Sequence, residues 1–324
     1  MDDVVGCGSL NVDYIYEAED PAFLQTFYPE GKKRRQWELT EPREIEALQE
    51  ALQKKARVIS RTGGGSAANT VLALARMGFR SGMMGKVGRD EDGDFIQQEM
   101  ALVPRLHITR DGRSGRALII LGPDRDRIIL LLANANRELT WADLDPDFVR
   151  QFRVLHLTSL PGEGLALQER LAGEVAGQVR ISFDPGEVYA RRGLKDLTPL
   201  LARCHLLFIT EGELELLTGR NWEEGVAEIL DQGTRIVVVK KRGSGAFIRE
   251  AVETWDLPAP VIRARDTTGA GDVFAAAFLG GYLRGRPLPA CGSLGLAMAR
   301  QSMGGVGREA YPTKADFDFF GRGI

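Results

Sequence analysis

The sequence predicts an α/β fold with a mostly parallel central sheet, helices on both faces and a small β lid. Three features predict it. From residue 154 onward short apolar runs alternate with helix-length amphipathic segments, the pattern of parallel strands covered on both faces. Residues 115–121 and 127–132 are two β runs flanking Gly122-Pro123-Asp124-Arg125-Asp126, a hairpin signal that interrupts the alternation. Two glycine-rich turns, one near residue 64 and one near residue 270, each feed an apolar helix.

The elements follow in order. Residues 4–10 read as a buried strand leading into Asn11-Val12-Asp13, and residues 14–40 mix aromatics and charges without a period. Thr40-Glu41-Pro42 is a helix start, and Ile45, Leu48 and Leu52 give residues 44–56 helical spacing. Val58-Ile59 reads as a short strand before the first glycine turn, followed by a helix at 67–77, a strand at 81–87 and a helix at 94–102. After the hairpin, strands at 154–157, 180–183, 206–210 and 236–239 alternate with helices at 163–177, 192–202, 211–218 and 223–232. Segment 243–264 returns to β runs, and helices at 270–284 and 288–303 close the pattern. The expected division is a large α/β domain of residues 1–13, 41–111 and 136–324, with 14–40 and 112–135 as the lid. The lid would lie beside the strands' carboxyl ends, where open α/β sheets bind ligands.

Composition narrows the function classes. The 324 residues carry a formal net charge of −3, which argues against a general nucleic-acid binder. The basic run Lys32-Lys33-Arg34-Arg35 is short, lacks interleaved aromatics and reads as solvated surface. Cys7, Cys204 and Cys291 are widely spaced and form no metal-type pair. They suit a reduced, cytoplasmic protein. His107, His156 and His205 are isolated, and the last two lie in expected buried strands, where a core role is the better reading. No signal peptide is visible, and no apolar run approaches the ~20 residues of a membrane span.

The second glycine turn carries the chemistry. Asp266-Thr267-Thr268-Gly269-Ala270-Gly271-Asp272 runs straight into the helix Val273-Phe274-Ala275-Ala276-Ala277-Phe278-Leu279. Small residues leave the helix's first N–H groups uncovered, and those donors and the positive dipole end attract an anion. Asp272 is placed to take a proton from a nucleophile attacking that anion. An ordinary glycine turn with Asp272 as a helix cap is the competing reading. The first turn, Arg61-Thr62-Gly63-Gly64-Gly65-Ser66-Ala67-Ala68-Asn69-Thr70, leads into Val71-Leu72-Ala73-Leu74-Ala75-Arg76.

Together these turns resemble the ribokinase/PfkB family of carbohydrate and nucleoside kinases over nearly the whole chain. Asp266 to Asp272 looks like the family's C-terminal signature, and Gly64-Gly65-Ser66-Ala67-Ala68-Asn69 like its N-terminal one. Gly85-Lys86-Val87-Gly88-Arg89-Asp90-Glu91-Asp92-Gly93 is similar to the turn after the third strand; it lacks the spacing of a calcium loop. The resemblance implies a ribokinase-like three-layer sandwich that binds ATP and Mg2+. It implies Asp272 as catalytic base and Gly269, Ala270 and Gly271 as the anion hole. Asn11, Asp13, Gly64, Gly65 and Asn69 would bind the acceptor, since carboxylates and amides match vicinal hydroxyls.

On the nucleotide side, Glu213 in Thr210-Glu211-Gly212-Glu213 is similar to the family's N-x-x-E element, whose glutamate helps hold magnesium through water. Here Thr210 replaces the asparagine, and a plain charged helix start is the alternative. Lys240, Arg242, Gly243 and Gly245 resemble the nucleotide-side turn, with Gly243-x-Gly245 in place of the family's G-x-x-G; Thr268 joins them. Lys240 and Arg242 either pair with phosphates or form a solvated turn. Asp184-Pro185-Gly186 is a further pocket candidate or simply a turn. A monovalent cation near residues 266–268 is implied by some relatives.

The resulting expectation is an ATP-dependent kinase acting on a hydroxyl of a small sugar. A nucleoside kinase is the alternative, since the segment between Asp13 and Gly63 and the Gly-Gly-Ser start are similar to adenosine kinases. A silent metabolite-binding relative is the lesser alternative. No Walker A element occurs, and Gly6-Cys7-Gly8-Ser9-Leu10-Asn11 fails the dinucleotide fingerprint at its last position. Small-molecule substrates, no nucleic acid and no membrane are expected as partners. Lids pairing edge to edge would give a homodimer.

Overall fold

Apolar runs such as Val4-Val5 and Ile236-Val237-Val238-Val239 must be covered on both faces, and the fold supplies two helical layers to do so. A computed structural model describes residues 1–20, 36–121, 127–241, 243–259, 262 and 264–322. Its strands are β1 (Asp2–Cys7), β2 (Asn11–Ala18), β3 (Gln36–Glu38), β4 (Ala56–Gly64), β5 (Ser81–Val87), β6 (Arg105–Arg110) and β7 (Gly115–Leu121). They continue as β8 (Arg127–Leu132), β9 (Phe152–Thr158), β10 (Arg180–Asp184), β11 (Cys204–Thr210), β12 (Ile236–Lys241), β13 (Gly245–Glu250) and β14 (Glu253–Pro258).

Nine strands form the central sheet in the order β14-β13-β12-β11-β10-β9-β1-β5-β6. From β12 to β6 every pairing is parallel; β13 and β14 add an antiparallel edge. One face packs the helices Gly164–Glu174, Leu194–Leu201, Glu211–Thr218 and Trp222–Asp231 through Leu171, Leu200, Leu214 and Ile229. The other face packs Ser66–Arg76, Ala270–Leu283, Leu288–Ser302 and Lys314–Arg322 through Leu74, Phe278, Leu294 and Phe317. The helix Ala270–Leu283 is apolar nearly all round because it is enclosed in this layer.

The second sheet has the order β3-β8-β7-β2-β4, and the expected hairpin appears as the antiparallel pair β7–β8. Its apolar face packs the helix Pro42–Lys55 through Leu48 and Leu52 against Leu118, Ile120 and Leu130. The chain passes from the large sheet to the small one between Cys7 and Asn11. The strand expected at 4–10 therefore stops at Cys7, and Asn11 and Asp13 start the lid sheet's β2 rather than end β1. β4 is longer than expected from Val58-Ile59. It sits at a sheet edge with both those residues about half exposed, so burial leaves no periodic trace. β6, another edge strand, and the helix Lys314–Arg322, which buries only Phe317 and Gly321, escape sequence reading for the same reason. The turn at 122–126 and the basic run at 32–35 lie outside the described residues.

The turn after β5 ties the two sheets together. Asp92, 2 % exposed, accepts from the Tyr14 hydroxyl (2.6 Å), Arg61 Nη2 (2.6 Å) and Arg116 Nε (2.5 Å). Those donors sit on β2, β4 and β7, so one carboxylate at a helix start grips three lid strands. Asp90 meanwhile accepts from the N–H of Ser114 at the entry to β7. His156 and His205 prove to be strand residues bonded to Ser182 and Tyr282, and burial pulls both pKa values down to about 4. Among the described residues no helix is long and apolar enough to cross a membrane.

Candidate active site

Asp272 is the third residue of the helix Ala270–Leu283, and Gly269 caps that helix in a left-handed conformation (φ 74°). Ala270 N–H makes a long turn bond to Thr267 O (3.3 Å). The N–H groups of Gly269, Gly271 and Asp272 find no acceptor among the described residues. Open N–H groups at the positive end of a long helix are the arrangement that attracts an anion. Of the three residues expected there, Ala270 is the one whose donor is already engaged.

Two groups of side chains meet at Asp272. On the lid side, Asn69 Nδ2 donates to Asp272 Oδ2 (2.8 Å), and Arg308 Nε donates to Asn69 Oδ1 (2.9 Å). Asp13 is buried at the start of β2, against the bare backbone of Gly64. Asn11 accepts from Asn136 Nδ2 (2.8 Å), and Asn136 also bonds both ways with the Leu10 backbone. On the other side, Lys240 at the carboxyl end of β12 pairs with Asp184 at the end of β10 (2.5 Å). Glu213 caps its own helix, accepting from Thr210 N–H (2.8 Å) while Thr210 Oγ1 accepts from Glu213 N–H (3.3 Å). Asp184, Thr210 and Lys240 sit at the carboxyl ends of the parallel strands β10, β11 and β12, whereas Asn11 and Asp13 belong to the second sheet.

Electrostatics single out the same residues. Burial pushes the Asp272 carboxyl up to about 7 and Asp184 adds to it, against the Asn69 hydrogen bond, Lys240 and Arg308. Burial lifts Asp13 to about 6, opposed by Arg308 and reinforced by Asp266. Glu213 is raised by burial, with Lys240 opposing. Burial pulls Lys240 down, but Asp184 and Glu213 outweigh it and hold the ammonium above its ordinary range. Displaced pKa values on neighbouring titratable groups make these residues the candidate site.

The remaining expected positions are placed as follows. Thr268 N–H donates to Asp266 Oδ1 (2.8 Å), and Asp266 Oδ2 accepts from Gly307 N–H (3.0 Å). Gly243 is a left-handed turn residue, and Gly245 begins β13 pressed against the Leu257 carbonyl, so its lack of a side chain serves the β13–β14 pairing. Arg242 lies outside the described residues. Sequence reading missed Arg308 and Asn136. Arg308 meets Asn69 across 239 positions, and nothing local in Gly304-Gly305-Val306-Gly307-Arg308 announces that meeting.

Magnesium finds no ready cage: among the described residues no three His, Cys, Asp or Glu side chains converge as ligands. Glu213, bonded to Thr210 as a helix cap, is a single carboxylate, which fits a hydrated ion held mainly by phosphates.

The comparisons with known proteins make this chain a phosphotransferase with an alcohol acceptor. The sequence profile of the pfkB family carbohydrate kinases matches residues 37–314, and the chain belongs to that family. It is 31% identical over 253 residues to an uncharacterized sugar kinase of Archaeoglobus fulgidus, covering 76% of this chain and all of the relative. It is 30% identical over 226 residues to an ATP-dependent ribose-1-phosphate kinase of Halopiger xanaduensis, covering 68% and 74% of the two chains. The crystal structure of adenosine kinase from Sinorhizobium meliloti superposes with a TM-score of 0.84 over 97% of each chain, at 23% identity.

Proposed function

We propose that this chain transfers the γ-phosphoryl group of ATP to a hydroxyl of a small sugar, with Asp272 as the base. The observation that carries this reading is the position of Asp272: one carboxylate oxygen is held by Asn69 of the helix Ser66–Arg76, and N–H groups at the start of its own helix find no acceptor among the described residues. The acceptor sits against Asn11, Asp13, Gly64, Gly65 and Asn69. Asp272 takes the hydroxyl proton as attack begins, and a carboxylate near neutrality is well matched to that task. The free N–H groups of Gly269 and Gly271 receive the developing charge on the transferred group. Lys240 leaves Asp184 to pair with a phosphate oxygen, with Gly243, Gly245, Thr268 and Arg242 on the nucleotide side. Glu213 would help hold magnesium, and the ion would supply neutralisation of phosphate charge.

The second sheet, β3-β8-β7-β2-β4 with the helix Pro42–Lys55 packed on it, closes over the acceptor as the lid and excludes water. A solved structure described as a putative ribokinase II of E. coli in complex with ATP and Mg2+ shares the fold, with a TM-score of 0.78. It supports the same pair of cofactors here. A monovalent cation beside residues 266–268, a homodimer through the lids and a cytoplasmic location complete the proposal; the three buried free cysteines support the last. A nucleoside acceptor is the second reading, favoured by the inserted helix Pro42–Lys55 and the fit to the adenosine kinase.

The test is ADP release from ATP and magnesium across a panel of sugars, sugar phosphates and nucleosides, with Asp272→Ala as control. An acceptor-dependent signal that the variant loses supports the reading and names the acceptor class. Turnover that survives in Asp272→Ala removes Asp272 as base.

A further inference from the structure

We infer that Arg308 is a positioning residue: it locks the Asn69 side-chain amide in the one orientation that donates to Asp272. This rests on the reading of Asp272 as base. Arg308 is 8 % exposed. Its Nε donates to Asn69 Oδ1 at 2.9 Å, while Asn69 Nδ2 donates to Asp272 Oδ2 at 2.8 Å. A guanidinium has donors only and an ionised carboxylate accepts only. An amide strung between them has one satisfied orientation; turned over, it would set donor against donor and oxygen against oxygen. Without Arg308 that preference rests on the carboxylate alone, and the amide is free to turn toward the hydroxyls of a bound acceptor.

The surroundings show that Arg308 is built in. Its carbonyl accepts from Arg76 Nη1 (3.2 Å), and its Nη1 lies 3.7 Å from Glu99 Oε2. The bare backbone of Gly63 makes room for it: a Cβ there would lie 2.2 Å from Nη1. Nη1 nevertheless has no hydrogen-bond partner, and a buried, incompletely satisfied cation is costly to stability. The fold keeps that cost next to the amide that touches the base.

The charged and titratable groups facing Asp272 are Asp184 on β10, Lys240 on β12, Arg308 and the Tyr311 phenol; Asp13, Glu99 and Tyr311 face Arg308 in turn, and Asp266 faces Asp13 and Tyr311. Of these, Arg308 and Lys240 favour ionised Asp272, as does the Asn69 hydrogen bond. Loss of Arg308 removes a cation and loosens that bond, so both effects push the carboxyl toward its protonated form.

The experiment is the pH profile of kcat/KM for the wild type, Arg308→Gln and Arg308→Lys, with Asp272→Asn alongside. Arg308→Gln should move the acidic limb upward by roughly half a pH unit or more, with much of the lost activity returning at alkaline pH. Arg308→Lys keeps the charge and should shift the limb less. A loss of equal size at every pH, with the limb unmoved, would mark Arg308 as structural only and overturn the proposal. If Arg308→Gln does not fold, Arg308→Lys carries the test by itself, and an unmoved limb there overturns it. Asp272→Asn separates the two readings: wild-type turnover in it refutes the base, whereas an inactive Asp272→Asn beside an unmoved Arg308→Gln limb refutes only the relay.

Discussion

The two glycine turns give the same signal in sequence and opposite uses in space. At 63–65 the volume where side chains would stand is filled by protein: Arg308 Nη1 is 2.2 Å from a Cβ built on Gly63, Asp13 Oδ1 2.0 Å from one on Gly64, and the Ser9 carbonyl 1.9 Å from one on Gly65. At Gly271 a Cβ would meet nothing closer than Lys240 Nζ at 3.5 Å, and the neighbouring N–H groups find no acceptor among the described residues. The first turn uses glycine to bring side chains and backbone into contact. The second is divided: at Gly269 (φ 74°) a Cβ would lie 2.4 Å from the Tyr311 hydroxyl, as in the first turn, and at Gly271 glycine leaves the helix start open. A residue-type pattern thus reports that a side chain is forbidden, and only the structure says whether protein or ligand takes its place.

The carboxylate that joins the two turns gives the largest effect. Asp272→Asn should lower kcat by on the order of a thousandfold, about 4 kcal/mol of barrier, measured as acceptor-dependent ADP release. The same substitution should raise the melting temperature at pH 8. The folded carboxyl is raised to about 7 from an unfolded value near 3.8, so the folded state holds the proton more tightly. Its contribution to stability therefore falls as pH rises from about 4 through 7, and an asparagine escapes that fall. For the wild type the same shift predicts activity that declines as pH drops through about 7.

The next effect belongs to the packed turn. Gly65→Ala places a methyl on the Ser9 carbonyl and forces a φ of 99° on a residue with a side chain. Destabilisation of roughly 3 kcal/mol is expected, read from denaturant unfolding. Gly64→Ala meets a movable carboxylate rather than backbone. It should displace Asp13 and raise the acceptor KM by about tenfold, near 1.4 kcal/mol, while the KM for ATP stays unchanged. Equal rises in both KM values would remove Asp13 from the acceptor site.

What sequence made legible follows the same division. Interior elements declared themselves: the strands at 81–87, 115–121 and 127–132 and the helix at 211–218 match residue for residue, because burial writes a period or an apolar run into them. Edge elements did not, since β6 and the exposed half of β4 carry no such imprint. In the site, Asp272, Asn69, Asp13, Asp184 and Lys240 were visible because each sits beside a turn or at a strand's end. Arg308 and Asn136 were not: each acts through a contact more than a hundred positions away, on an amide or backbone group that looks ordinary locally. Glu213 shows the reverse limit. Its spacing from Thr210 suits a metal element and a capping box equally, and the cap is what the geometry displays.

The smallest expected effect sharpens the comparison most. In the open turn, Gly271→Ala adds a methyl with only ordinary contact to Lys240 Nζ (3.5 Å) and Cδ (3.9 Å), at a helical position with unstrained φ. Alanine is the better helix former, so stability should hold or rise by a few tenths of a kcal/mol. The methyl stands beside the free N–H groups, in space that a phosphoryl group must enter and beside the lysine that would pair with it. The kcat should therefore fall about tenfold, near 1.4 kcal/mol, in a protein at least as stable as the wild type. Gly65→Ala must give the opposite pair of readouts per folded molecule: lost stability, with the phosphate side untouched. If Gly271→Ala instead loses stability and keeps its kcat, the second turn is a packing turn like the first, and the open helix start has no part in the chemistry.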